Sequence, residues 1–357
     1  MNPRLRIIAE AGVNHNGSLD MAMDLVRAAA RAGADAVKFQ TFKAGLLATA
    51  AAPKAAYQLR TTPEEESQLQ MLARLELNED AHKALSAFAG EMGIEFMSSA
   101  FDVASQDMLV RGCGIKTLKI PSGELTNAVL LLDAGGRGLP ILMSTGMATL
   151  AEIRFALGVL AFGLLRGSDQ ACRAAFERAF ESAEGKRSLG KVTLLHCVSA
   201  YPAPASETNL LAMDTLRGEF GLPVGFSDHS TGTHLPIAAA ARGAAVIEKH
   251  LTLDRSLPGP DHAASLEPAE FTSMVRWIRE TVSALGDGRK VRQPSEENTA
   301  QAARRSLVAV APIRRGEQFT AENLSTARPG TGISAAQYWD WLGRTAQRDF
   351  DAGEVIG

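Results

Sequence analysis

Residues 223–250 read PVGFSDHSTGTHLPIAAAARGAAVIEKH, and this stretch decides the fold. A short apolar run (223–228) leads to His229, an Ala-rich segment of helical length follows, and a second run (245–250) ends in His250. Near-continuous apolar runs bounded by Gly, Pro or Ser are the pattern of parallel strands buried on both faces. Further out along the chain the same unit recurs at residues 5–10 (LRIIAE), 36–40 (AVKFQ), 94–98 (IEFMS), 117–120 (TLKI), 140–145 (PILMST) and 192–197 (VTLLHC). Eight such units, most separated by Ala- and Leu-rich segments, predict an α/β fold, a (β/α)8 TIM barrel. Its active site is built at the C-terminal ends of the strands. The polar residues that close the runs are therefore candidate site residues.

A barrel needs about 250 residues, and the chain has 357. We expect a barrel over residues 1–288, a polar linker over 289–300 and a small domain of short strands over 301–357. Composition is ordinary for a globular protein, 46% hydrophobic and 22% charged, which excludes a wholly disordered chain. The formal net charge of −3 gives no basis for nucleic-acid binding or a polybasic membrane contact. Cys113, Cys172 and Cys197 are widely spaced and form no CxxC pair, which fits a reducing cytoplasm. The chain runs almost directly into its first strand and holds no apolar stretch of 18 residues, so we expect neither a signal peptide nor a membrane span.

Between the strands, Ser18 or Asp20 can cap a helix over residues 19–31. The loop after the second run is long, about 41–62, and ends in Thr-Pro-Glu-Glu-Glu, which reads as a helix start with acids in its first turn. Long loops at the catalytic face of a barrel are usually functional. About twenty extra residues, 167–190, read as an amphipathic helical hairpin, to which the sequence attaches no function.

The sharpest pair of strand-end residues is His229 and His250. Adjacent barrel strands end a strand spacing apart, so two imidazoles can meet on one divalent ion acting as a Lewis acid, or be two unrelated rim histidines. Asp228 and Glu248 are close enough in sequence to orient an imidazole. Lys38 and Lys119 lie inside apolar runs. A buried lysine is costly alone, so each either pairs with an acid, Glu10 or Glu124, or faces an anionic ligand. Ser98, Ser99, Ser122, Ser144 and Thr145 add hydroxyls at the same level. Glu124, in the Pro121-Ser122-Gly123-Glu124 loop, is a candidate for acid–base work, and Asp261 sits in a stiff Pro-Gly-Pro-Asp-His segment.

The ordered motifs AEAGVNHNGS, AVKFQT, LKIPSGE, ILMSTGM, LLHC…YP, GFSDHS, EKHLTLDR and PGPDHAASLEP resemble the sialic acid synthase family, the bacterial nonulosonic acid synthases. The tail RRSLVAVAPIRRGEQFTAENLSTARPGTG resembles that family's C-terminal antifreeze-like SAF domain, a small mostly-β β-clip. The resemblance covers nearly the whole chain apart from residues 167–190. It implies condensation of phosphoenolpyruvate with an N-acetylated aldose to a nine-carbon 2-keto acid and phosphate, in a cytoplasmic, domain-swapped homodimer.

Carried over position by position, the resemblance makes His229 and His250 ligands of a divalent metal, Mn2+ first and Mg2+ or Co2+ as substitutes, which polarises the open-chain aldehyde. Lys38, Ser99, Lys119, Ser122, Ser144 and Ser227 would hold the carboxylate and phosphate of phosphoenolpyruvate, with Glu10 and Gln40 nearby. Ser199 stands where some relatives carry an Asn, so its phosphate contact is open. Glu124, Tyr201 and Asp261 match sugar-binding positions, and Arg328 matches an arginine delivered by the partner subunit's antifreeze-like domain. PGPDH and LKIPSGELTN lean towards the legionaminate type, so the implied sugar is 2,4-diacetamido-2,4,6-trideoxymannose or N-acetylmannosamine. The alternatives are a pseudaminate synthase, another phosphoenolpyruvate-dependent keto-acid synthase, or a non-catalytic sugar-binding protein.

Overall fold

The computed structural model describes residues 5–63, 65–166 and 170–357. It divides into two compact units, Met1–Gly286 and Asp287–Gly357. In the first, eight parallel strands close on themselves in sequence order. They are β1 (Arg6–Gly12), β2 (Ala36–Thr41), β3 (Glu95–Ala100), β4 (Leu118–Ile120), β5 (Ile141–Ser144), β6 (Val192–His196), β7 (Val224–Asp228) and β8 (Val246–His250). β8 pairs with β1, which completes the expected barrel.

Alternation along each strand sorts the side chains into two sets. One set (Ile7, Ala9, Val37, Phe39, Phe96, Leu118 and their equivalents) faces the surrounding helices in one continuous apolar core. The other points into the barrel, where Ile8, Ala36, Met97, Leu142, Leu195 and Val246 form a separate apolar layer. Gly225 keeps that layer dense, because a Cβ there would lie 2.7 Å from Leu195 Cδ2. Two residues further along the same strands stand Glu10, Lys38, Ser99, Ser144, Cys197 and Glu248. The change from apolar plug to polar floor therefore happens in one step of two residues, at the C-terminal end where barrel sites are built.

Ser18 caps the helix Leu19–Arg31, accepting from Met21 N. The long loop after β2 is more ordered than its composition suggests, with short helices Ala44–Leu47, Ala56–Thr61 and Gln68–Leu75. The helix expected to begin at Thr62-Pro63 begins instead at Gln68. Ser67 and Gln70 cap each other's backbone there, and that reciprocal pair outcompetes the proline start. Glu64 lies outside the described residues.

Of the extra segment, residues 167–169 lie outside the described residues. The rest forms the helices Arg173–Glu181 and Ala183–Ser188. Phe176 of the first packs edge-on against Phe155 and Phe162, at 6.0 and 5.3 Å between ring centres. Those rings belong to the helix Leu150–Leu165, which is apolar nearly all round. A helix of that kind must be covered on every side, and this segment covers one side while the helix Ala128–Arg137 covers another.

In the C-terminal unit, residues 289–300 hold a 3-10 turn, Pro294–Glu296, and open the helix Glu297–Ala303. β9 (Ser306–Ala309) and β10 (Leu324–Ala327) pair antiparallel. The unit has its own core, including Leu307, Ile313, Phe319, Leu324, Phe350 and Ile356. Among the described residues no helix is long and apolar enough to cross a membrane.

Candidate active site

Strand register builds the floor of the site. Glu10 lies beside Lys38 on one side and His250 on the other. Gln40 is in register with Ser99, Ser99 with Lys119, and Ser227 with Glu248. The result is a buried cluster of two lysines and two carboxylates. Lys38 Nζ contacts Glu10 Oε2, lies 3.5 Å from Glu248 Oε2 and donates to Ser99 Oγ at 3.2 Å. Lys119 Nζ lies 3.4 Å from Glu248 Oε1, which also accepts from Ser227 Oγ at 2.7 Å. Each lysine thus pairs with an acid and faces the cavity at once. The partner of Lys119 is Glu248 rather than Glu124.

Burial and charge divide the two carboxylates. Burial, opposed by Lys38 and reinforced by the Glu248 charge, pushes Glu10 up to about 7. Burial acts on Glu248 too, but Lys119 and Lys38 together overcome it and hold that carboxyl below its usual range. Burial likewise opposes the Lys38 ammonium, and the Glu10 and Glu248 charges outweigh it and raise its pKa. Lys119 is lowered, chiefly by burial, with Glu248 resisting and Lys38 adding to the fall. Glu248 is the firm anion of the cluster and Glu10 takes up a proton first. Both lysines face the cavity from this cluster, an arrangement suited to an anion.

The two histidines meet above this floor, 5.5 Å apart between ring centres. His229 Nδ1 is bonded to Val198 O at 2.7 Å, which makes Nδ1 the donor and leaves Nε2 a lone pair. Burial drives His229 down to about 4 and His250 well below the ordinary range, so both rings are neutral. His250 Nδ1 is buried without a hydrogen-bond partner, 3.8 Å from Asp261 Oδ2. Two neutral imidazoles, one fixed by a carbonyl, fit a divalent ion that keeps other positions for substrate and water. No third His, Cys, Asp or Glu joins them as a metal cluster among the described residues. Asp228 does not orient an imidazole: it accepts from Ser230 N and pairs with Lys249 on the far side of the strands.

Hydroxyls complete the floor. Ser122 Oγ accepts from Gly146 N at 3.0 Å and sits 3.2 Å from Cys197 Sγ. Gly146 is required there, since a Cβ would lie 2.8 Å from Ser122 Oγ and 3.1 Å from Cys197 Sγ. Ser144, Ser199 and Ser227 line the same cavity, of about 450 Å3, with Gln40, Glu124 and Tyr201. Ser98 and Thr145 face away, bonded to Thr41 Oγ1 and Leu195 O.

Glu124 is half-buried, and burial raises its pKa against a hydrogen bond from Asn127 Nδ2 at 2.7 Å. The Tyr201 ring lies tilted against His229, 4.3 Å between centres, and the loop that carries it is tied down by Ala203 N donating to His229 O. Burial raises Asp261 to about 6. Asp261 Oδ2 and Glu10 Oε1 both lie just over 3 Å from where a Gly12 Cβ would stand. Arg328 is exposed in the C-terminal unit, its Nε donating to Ala303 O at 3.1 Å.

Residues 25–290 match the NeuB family and residues 304–357 match the SAF domain. The chain belongs to the NeuB family. Its sequence is 46% identical to the N,N'-diacetyllegionaminic acid synthase of Campylobacter jejuni over 350 residues, covering 98% of each chain. It is 43% identical to the enzyme of that name from Legionella pneumophila, covering 98% of this chain and 92% of the other. Among solved structures, the N-acetylneuraminic acid synthetase of Leptospira borgpetersenii is 32% identical with a TM-score of 0.67, covering 84% of this chain and 90% of that one.

Sequence reasoning passed over several contributors to this NeuB-family site. Glu248, expected only to orient an imidazole, is instead the central anion between the two lysines, and the EKH alternation places it on the face of His250. Gly146 was invisible because its role is a close approach. Tyr57, Gln58, Gln68 and Leu72, from the loop after β2, also line the cavity. No local pattern marks them, because the tertiary path of that loop brings them there.

Proposed function

We propose that this chain condenses phosphoenolpyruvate with 2,4-diacetamido-2,4,6-trideoxymannose to give N,N'-diacetyllegionaminic acid and phosphate. N-acetylmannosamine is the second sugar of the same class. The observation that carries the reading is the cavity floor. Lys38 and Lys119 share a buried site with serine hydroxyls, directly beneath two neutral imidazoles, in a chain 46% identical to a synthase of that name.

In this reading the lysines and the Ser99, Ser122, Ser144 and Ser227 hydroxyls hold the carboxylate and phosphate of phosphoenolpyruvate. Ser199 and Gln40 flank them. His229 and His250 hold a divalent ion, Mn2+ before Mg2+ or Co2+, which supplies Lewis acidity towards the sugar carbonyl. Tyr201, Glu124 and Asp261 orient the open-chain sugar. The enol C3 attacks the aldehyde carbon and forms the C–C bond. Water then adds at C2, and the C2–O bond breaks to release phosphate. Glu124, whose burial favours a retained proton, is placed to move protons at the sugar end.

We read the functional unit as a cytoplasmic, domain-swapped homodimer in which Arg328 of one copy serves the sugar bound by the other. Its exposure and the family resemblance support that reading.

Phosphate release from phosphoenolpyruvate, measured with each sugar and with or without chelator, tests the reaction. Release that needs both sugar and metal is expected. No release with any sugar, or release indifferent to chelator, contradicts it. Arg328→Ala should raise KM for the sugar about tenfold or more and leave that for phosphoenolpyruvate within about twofold; equal effects on both would remove Arg328 from the sugar site.

A further inference from the structure

The cavity has two chemically different walls. Its floor is ionic and rich in hydroxyls, whereas its outer wall, above β2 and β3, holds a hydrocarbon patch beside the two amides Gln58 and Gln68. Leu47, Leu72 and Phe101 line that wall, with Tyr57 beside them. These side chains are held in place. The two leucines and Phe101 pack on a satellite core of Val13, Phe42, Met71 and Leu75, and Phe42 meets Phe101 edge to face at 5.9 Å.

Tyr57 meets Tyr201 at 4.9 Å and Tyr201 meets His229 at 4.3 Å between ring centres, both pairs tilted. A ladder of rings therefore runs from the imidazole pair to the apolar wall. Polarity falls along it, and the side-chain amide of Gln58 is already engaged with Ala55 N and the Tyr57 hydroxyl. A sugar with its aldehyde at the imidazoles and its chain along this ladder would bring its far end to Leu47, Leu72 and Phe101.

Resting on the reaction proposed above, we infer that Leu47, Leu72 and Phe101 form a subsite for the C6 end of the sugar, selecting a methyl group there over a hydroxymethyl. A methyl fills a hydrocarbon wall, whereas a hydroxyl pressed against it gives up its water without a partner. Discrimination of this kind is worth about 10- to 100-fold in kcat/KM.

The test uses four sugars that vary two positions independently: hydroxyl or acetamido at C4, and methyl or hydroxymethyl at C6, all with the mannose configuration and a C2 acetamido group. The wild-type protein with its metal should prefer the 6-deoxy sugar about 10- to 100-fold whichever group is at C4. Leu72→Gln and Leu47→Gln should each cut that preference several-fold, with KM for phosphoenolpyruvate within about twofold of wild type. Equal use of the two C6 forms overturns the inference without touching the proposed reaction. So does a preference that follows C4 alone, which would put the C4 acetamido methyl on this wall. So does a preference unchanged in both variants when they melt like wild type. Absence of phosphate release with all four sugars strikes the reaction itself.

Discussion

Two buried lysine–carboxylate groups meet at β8 on opposite faces of the strand, the inner one through Glu248 and the outer one through Lys249. On the inner face Lys38 and Lys119 gather around Glu248 and Glu10. On the outer face Lys249, fully buried, donates to Asp228 Oδ2 at 2.6 Å and to Ser230 O. Residue types and burial are alike, yet the consequences differ. Two ligands are spent on the outer ammonium, and Asp228 in turn caps Ser230 N, so the group is closed on itself. The inner ammonium of Lys119 approaches only Glu248 Oε1, at 3.4 Å, among the contacts described, and it lines the cavity. A buried charge pair becomes a binding site when its cation keeps donors to spare.

The largest effect that can break this comparison is on activity. Lys119→Met should lower kcat/KM for phosphoenolpyruvate at least about 100-fold. Glu248 would still have Lys38 and Ser227, so the melting temperature should stay within a few degrees. A large fall in stability with the activity spared would make the inner cluster structural. The outer pair should behave in the opposite way. Lys249→Met strands Asp228 as a buried charge and should cost about 3–5 kcal/mol of stability by denaturant titration. Kinetics measured where the variant remains folded should match wild type.

The smallest contrast lies on neighbouring residues of β3. Ser99→Ala removes an inward hydroxyl that touches Lys38 and should raise KM for phosphoenolpyruvate several-fold. Ser98→Ala removes an outward hydroxyl paired with Thr41 Oγ1 at 2.7 Å. It should cost about 1 kcal/mol of stability and leave KM alone. Identical kinetic effects from the two serines would erase the distinction between faces.

The same alternation explains what was legible in the sequence. Short apolar runs with polar ends announced the barrel, and a period of two sorts Lys38 with Gln40 and Glu248 with His250. The direction of Asp228 was misread because it stands next to His229 in sequence, and adjacent strand residues point to opposite faces. The helix start at Ser67 was hidden by a stronger-looking Thr-Pro-Glu signal five residues earlier. The apolar wall was beyond reach for a different reason. Leu47, Tyr57 and Leu72 are scattered over three short helices; packing on Val13, Phe42, Met71 and Leu75 places the two leucines, and the ring contact with Tyr201 places Tyr57. Nothing local in that stretch encodes where it lands.

Titration calorimetry of phosphoenolpyruvate into the wild-type protein and into Lys119→Met tests the account most directly, because it reads the anion site without requiring turnover. The inner cluster predicts one anion bound per chain in the wild type and affinity reduced at least about 100-fold in the variant, with both proteins melting alike. Equal affinity in the two proteins would contradict it.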